Sequence, residues 1–591
     1  MTTELHWLDF VILFLYLAGT LWLGIWVGRK IETGLDFFLA GRQLPWWAVG
    51  LSLVATDIGG TDIIGAGGAA YTHGFAVANF EWVGCVPAMI LGAFFFVPLL
   101  WRAGVTTIPE YLERRYDGRV RAAVSFCWLA FSAFNLGIML FASAKFLEGM
   151  FGWDRGLSVV GTALIVGIYT MSGGLAAVVY TDVLQCILMI GGCFVVTFIG
   201  LDQVGGIGPL IERVRELDQS GVRAATGADH LSLVLPVDTT TPYPWTGILF
   251  GLGMILAPAY WIGNQAIIQR TLGAKSEVQA SASYVWGSLV KNLIPLMIVV
   301  PGLIALVLHP DLSDGDTAYP RLAAELLPIG LRGLFLSAFL AALMSSVDSY
   351  LNSAATLFTK DFYQRFWRKD ADEHQILVAG RVTTAFLMVF GVAFSFVLMR
   401  TKSGIYDIFQ TLMSFFQGPA FGVLLLGLLW RRATGGAALL GFLSGVAMAV
   451  ALYALDMENV KQGLGLPPLF QIRNPYLYLS VWAFLVTLFV TWTATAWSNG
   501  KRGIAGALLL LVAATMATVH WRAGGATVLH SIGESLRSLL LRIPLPLARV
   551  AFLAIPAVLV VWVLSRRAHL QIKLAAVLSL AIQFALYWIA A

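Results

Sequence analysis

Charge is what this sequence has least of. Asp, Glu, Lys and Arg together make up 12% of its 591 residues, about half the share found in ordinary soluble domains. Hydrophobic residues make up 58% and the mean hydropathy is +0.80. That is more apolar surface than a soluble core of this length can enclose, so the composition points to a membrane protein.

Cysteine is also scarce. The four present, Cys85, Cys127, Cys186 and Cys193, lie inside apolar stretches without paired spacing, which argues against a disulfide framework or a zinc site. No basic tail or aromatic-interleaved patch accompanies the net charge of +5, so nucleic acid is not an expected partner. HExxH, GxSxG and histidine pairs at helical spacing are all missing. No catalytic residue and no organic cofactor site is therefore assigned, and the chain does not read as an enzyme. The glycine-rich run Gly59 to Gly68 sits in a hydrophobic span with no strand before it, which excludes a dinucleotide loop.

What is present is a repetition of long apolar runs. A hydrocarbon layer about 30 Å thick needs roughly 20 apolar residues in helical form. Spans are predicted at 7–28, 46–72, 78–101, 122–150, 157–179, 182–202, 244–266, 280–308, 330–359, 379–399, 404–430, 433–455, 475–497, 503–521, 548–565 and 572–590, about sixteen in all. The first is followed by Arg29 and Lys30 with no small-residue cleavage site, so it reads as a retained span rather than a signal peptide. Alternate loops carry basic clusters such as Arg114/Arg115 and Arg431/Arg432. The positive-inside rule then puts the N-terminus outside, with a cell membrane, expected to be a bacterial inner membrane, as the location. The segment 525–547 reads either as an amphipathic surface helix or as a plain loop.

Two spans look interrupted, and backbone at membrane depth tolerates interruption only where it lines a cavity. The second span carries Thr56-Asp57-Ile58-Gly59-Gly60-Thr61-Asp62; the seventh carries Leu256-Ala257-Pro258-Ala259-Tyr260-Trp261. The breaks are five spans apart, and an odd number of spans per unit forces opposite orientation, the layout of inverted repeats. The expected organisation is an extra N-terminal helix and loop (1–45), repeat one (46–202), an outer loop (203–243), repeat two (244–430), two further helices (431–500) and a C-terminal extension of about three helices (501–591).

An ionised side chain at mid-bilayer costs at least about 2.5 kcal/mol, so it is normally paired, facing a cavity, or functional. Asp57, Asp62, Glu81, Asp182, Lys291 and Asp348 are the candidates. Each has a plainer reading as well: helix-break capping for Asp57 and Asp62, a boundary position for Glu81, an N-cap for Asp182 and a structural ion pair for Lys291. Lys145, near a span end beside Glu148, is explained by snorkelling. The run Ala341 to Asp348 places Ser345 and Ser346 with a carboxylate within one turn, hard oxygen ligands of the kind a small alkali cation accepts. Serines also let helices pack closely.

The residues Leu44-Pro45-Trp46-Trp47, the break from Ser52, Phe80-Glu81-Trp82, Ser172 to Asp182, Tyr260-Trp261 with Asn264-Gln265 and Gln269-Arg270, Ala318-Tyr319-Pro320, and Ser345-Ser346 with Asn352-Ser353 run in order from about residue 37 to 432. This pattern resembles the sodium:solute symporter family, in particular its sodium/glucose cotransporter branch. The resemblance implies an all-α polytopic fold with a five-plus-five inverted-repeat core like that of amino-acid transporters, one extra N-terminal helix and added C-terminal helices. It implies sodium as coupling ion, held by carbonyls near Ala55 and Ile58, the carbonyl of Ala342 and the hydroxyls of Ser345 and Ser346. Asp182 matches a carboxylate linked, with Ser345 and Ser346, to a second sodium site.

The resemblance further implies that Glu81 and Lys291 meet sugar hydroxyls and that Tyr260 stacks on the ring. Asp62, Gln410 and Thr411 complete the expected solute set, and Asp57, Asp182 and Asp348 would supply a negative field for coupling. Asp62 stands where sugar carriers have glutamine or histidine, Asp57 where they have asparagine and the proline-carrier branch has aspartate, Phe80 replaces a tyrosine, Ala257 an asparagine, and Asp348 is an acidic addition. The expected activity is sodium-coupled symport of a small polar solute, a sugar or polyol. The alternatives are a sodium- or proton-coupled carrier of amino acids, small carboxylates or cationic amines and, more remotely, a membrane sensor or enzyme.

Overall fold

The computed structural model describes residues 5–29, 33–170, 174–220, 229–401, 404–456, 475–500, 544–566 and 568–590. Among these the regular structure is helical, and the only β features are two isolated bridges, Leu44 with Ala274 and Leu235 with Pro244. Twelve helices are long and apolar enough to cross a membrane, and two bent pairs bring the total to as many as 14. The predicted 157–179 span is a shorter helix, Arg155–Thr170. The predicted 503–521 span and most of the 525–547 segment lie outside the described residues. Twelve or more such helices make this a multi-pass membrane protein.

The helix Leu331–Trp367 occupies the centre, with 94% of its apolar window buried inside the protein, against 22% for Trp7–Gly28 and for Leu545–Ser565. Lipid solvates apolar side chains as well as a core does, so peripheral spans can stay exposed while polar groups collect on the central one. Trp7–Gly28 is nevertheless fixed to that centre. Asp9 accepts the amides of Gly330 and Gly333, each at 2.8 Å, and a Cβ on Gly333 would come within 2.4 Å of Asp9 Cα.

Three expectations need correction. The seventh span does not break at Pro258, which lies inside the continuous helical stretch Gly247–Gly263, just after its wide π-type turns Gly247–Leu256. The bend, 50°, falls at Asn264, whose backbone is extended (φ −73°, ψ 123°) and whose Oδ1 caps Ala266 N–H at 2.9 Å. Asp182 does not start a helix. Gly174 is the N-cap of Leu175–Val204, leaving Asp182 well inside it and buried. Lys145 does not snorkel: it is buried and pairs with Asp316 at 2.7 Å and Asp314 at 2.9 Å, while Glu148 pairs with Arg155.

Candidate functional site: an ion cradle and a solute cavity sharing one helix break

The helix Trp46–Asp57 stops where Ile58 turns extended (φ −92°, ψ 92°), and Asp62–Ala78 continues at 58° to it. Asp62 makes the restart possible by accepting Gly59 N–H at 3.0 Å, one of the donors a helix start leaves without a partner. The break faces Leu331–Trp367. There Ser345 Oγ lies 2.7 Å from the Ala55 carbonyl and 2.9 Å from that of Ala342, and Ser346 Oγ lies 3.0 Å from the Thr56 carbonyl.

Both serines are fully buried. A hydroxyl has a single hydrogen and cannot satisfy two carbonyls at once, so this knot of oxygens is richer in acceptors than in donors, the chemistry of a small-cation site. The Ile58–Gly59 peptide runs against it: a Cβ on Gly59 would come within 2.7 Å of Ser346 Oγ. Of the residues expected to hold sodium, Ala55, Ala342, Ser345 and Ser346 come together here with the Thr56 carbonyl, and Ile58 is next to Gly59, which abuts Ser346.

A second polar chain begins a turn earlier. Asp182 Oδ2 accepts Ser52 Oγ–H at 2.6 Å, and Thr56 Oγ1 and Ser349 Oγ are 3.0 Å apart. Arg270, also buried, donates to Thr56 Oγ1 and, at 2.7 Å, to Ser349 Oγ. It sits within electrostatic reach of Asp182 and Asp348. Ser349 Oγ in turn meets the Ser345 carbonyl at 2.5 Å. Asp182 and the Ser345/Ser346 pair, expected together as a second sodium site, are therefore linked through one turn of the broken helix and share their surroundings with a guanidinium. Sequence reading passed over the part played by Arg270, Thr56 and Ser349. A lone arginine following Gln269 after a helix break was the available signal.

On the other side of the break, Asp57, Asp62, Glu81, Tyr260, Trp261, Gln410 and Gln417 line a cavity of about 50 Å³. Lys291, fully buried behind two of these lining carboxylates, donates to Asp57 and to Glu81, the latter at 2.9 Å, and its Nζ lies 5.7 Å from the Trp261 ring centre. Tyr260 Oη is 3.1 Å from Tyr350 Oη, which also accepts from Asn264 at 3.2 Å. One wall of the cavity is thereby tied to the helix that carries Ser345. Phe80 closes another side, edge-on to Tyr406 at 4.9 Å. Of the expected solute residues, Thr411 does not join them: it lines a separate cleft with Asp407 and Tyr453, because it lies one residue, about 100°, round the helix from Gln410.

The last helix, Leu570–Ile589, braces this cavity from behind. Asn292, next to Lys291, donates to Ser579 Oγ at 3.1 Å, while Gln583 donates to the carbonyl of Trp82, next to Glu81. Tyr587 Oη–H reaches Asn79 Oδ1 at 3.0 Å.

The profile of the sodium:solute symporter family matches residues 37–445. The chain is 33% identical over 481 residues to sodium/glucose cotransporter 4 of Mus musculus, covering 77% of this chain and 70% of that one. It is 32% identical over 523 residues to sodium/myo-inositol cotransporter 2 of Homo sapiens, covering 83% and 76%. Among solved structures, a sodium-coupled sialic acid symporter in a substrate-bound, outward-open state superposes with a TM-score of 0.70 at 22% identity, covering 83% of this chain and 98% of that one. That last likeness establishes a shared fold.

Proposed function

The chain belongs to the sodium:solute symporter family, and from that premise we propose that it imports a sugar or polyol with sodium by alternating access. The observation that carries this reading is the shared break. Residues 55 to 59 meet Ser345 and Ser346 on one side, and Asp57 and Asp62 face the cavity on the other. An ion that pins Ala55 to Ser345 also sets where those two carboxylates stand. Coupling requires that ion and solute favour the same conformation, each raising the other's affinity equally. One charge crossing 100 mV is worth about 2.3 kcal/mol, enough to concentrate a neutral solute tens-fold per ion.

In this reading sodium is held by Ala55, Ile58, Ala342, Ser345 and Ser346, with Asp182 at a second ion position. The solute meets Asp62, Glu81, Lys291 and Gln410, with Tyr260 against its ring. Asp57 positions Lys291, and Asp348 offsets Arg270. Residues 46–202 and 244–430 act as inverted repeats, and the N-terminus lies outside a bacterial inner membrane. Hydroxyl-rich solutes suit this donor set because carboxylates, an ammonium and an amide together accept from and donate to alternating hydroxyls.

A second reading has its own support. Asp57, Asp62 and Glu81 outnumber the one ammonium of Lys291, which would favour a solute bearing a cationic amine. Competition for sodium-driven uptake in proteoliposomes separates the two. Glucose and myo-inositol are expected to compete, whereas proline and choline are not, and the reverse pattern would overturn the sugar or polyol assignment.

A further inference from the structure

Gln417 was singled out neither by the sequence pattern nor by the mechanism above. Its side chain is fully buried, it lines the cavity, and among the described residues neither Nε2 nor Oε1 has a hydrogen-bond partner. Leaving a buried donor or acceptor unsatisfied costs about 1–3 kcal/mol per group; in the same wall Trp261 Nε1 and Glu81 Oε2 are likewise without a hydrogen bond, and Gln417 adds an unmet donor and an unmet acceptor on one side chain.

Its position follows from the backbone. The helical stretch Ile405–Ser414 ends, residues 415 and 416 break it, and Gln417 opens the next stretch, Gln417–Leu429. Pro419 two residues later cannot extend a helix backwards, and Gly418 is held against a neighbouring helix, where a Cβ would come within 2.6 Å of the Ser480 carbonyl. The amide is thus carried on a fixed backbone rather than on a loose loop.

We propose that Gln417 is a specificity-determining residue that binds two neighbouring hydroxyls of the transported solute, one accepting from Nε2–H and the other donating to Oε1. This rests on the sugar or polyol reading and narrows it to solutes with a vicinal diol. A carboxamide presents a donor and an acceptor side by side in one plane, which a vicinal diol matches and a single hydroxyl or a carboxylate does not. A site built to pair with such hydroxyls discriminates against analogues that lack one, because its own polar atoms are then stranded.

The test uses the full-length chain in proteoliposomes under an inward sodium gradient, with D-glucose, myo-inositol and the singly deoxygenated glucose analogues as probes. Q417L is compared with wild type, and Q417E serves as a second variant that keeps shape and one acceptor. In wild type, removal of an engaged hydroxyl raises KM about 10-fold or more. Q417L is expected to raise the glucose KM by a similar factor, to leave the sodium half-saturation unchanged, and to erase the penalty for two adjacent positions only. Q417E is expected to erase one of the two. Unchanged KM and an unchanged deoxy pattern in Q417L would overturn the proposal while sparing the sugar reading. Absence of sodium-driven uptake of every polyol by wild type would overturn both.

Discussion

Lys291 joins Asp57 and Glu81, so one ammonium ties the broken helix to the helix that follows it, through a residue contributed by a third. Removing one member of a buried ion pair typically costs about 3–5 kcal/mol, because the remaining charge is stranded. K291M is therefore expected to abolish uptake and to lower thermal stability in detergent. The double variant D57N/K291M should regain part of the stability without regaining transport. Equal stability loss in the single and double variants would show that the three groups are not coupled.

Gly59 is held by space rather than by chemistry. A methyl there would press to within 2.7 Å of Ser346 Oγ, in a knot that has no slack. G59A is expected to raise the half-saturating sodium concentration by about 10-fold, as the loss of roughly 1.4 kcal/mol of ion binding requires. The solute KM measured at saturating sodium should return close to wild type. Sodium titration of initial uptake rates reads this directly.

Arg270 spans Thr56 and Ser349 with two nitrogens, a fork that a lysine cannot reproduce. R270K should retain the charge facing Asp182 and Asp348 yet lose the double contact, lowering maximal uptake several-fold. D182N is expected to alter the sodium dependence more than the solute dependence. Equal effects of D182N on both would place Asp182 outside ion binding.

The final helix predicts an effect at a distance. Q583L removes the donor to the Trp82 carbonyl, and S579A removes one of the acceptors of Asn292, leaving it the carbonyls of Ser288 and Ser579. Neither residue lines the cavity, yet both brace a neighbour of Glu81 or Lys291. The double variant is expected to raise the solute KM about 5-fold with little change in sodium half-saturation. A variant indistinguishable from wild type would show that this helix only shields the core from lipid.

The many-span helical character and the first break were legible in the sequence because each has a local signature: twenty apolar residues for a span, Gly59-Gly60 beside two carboxylates for the break, and Ser345-Ser346 for the segment packed against it. The second break falls at Asn264, which caps the next helix, and not at Pro258, because the wide turns Gly247–Leu256 carry the helix through the proline. Thr411 was grouped with Gln410 by adjacency in sequence, but neighbours on a helix face different ways. Arg270, Gln417 and the bracing by Ser579 and Gln583 depend on contacts between segments up to 501 residues apart. No local pattern records such contacts.

Uptake of radiolabelled glucose into proteoliposomes, with the sodium gradient and the pH gradient imposed separately, tests the central claim most directly when wild type is run beside S345A/S346A. The account predicts accumulation driven by sodium alone in wild type and none above equilibration in the double variant. Accumulation driven equally well by a proton gradient, or sodium-stimulated uptake that survives loss of both hydroxyls, would contradict it.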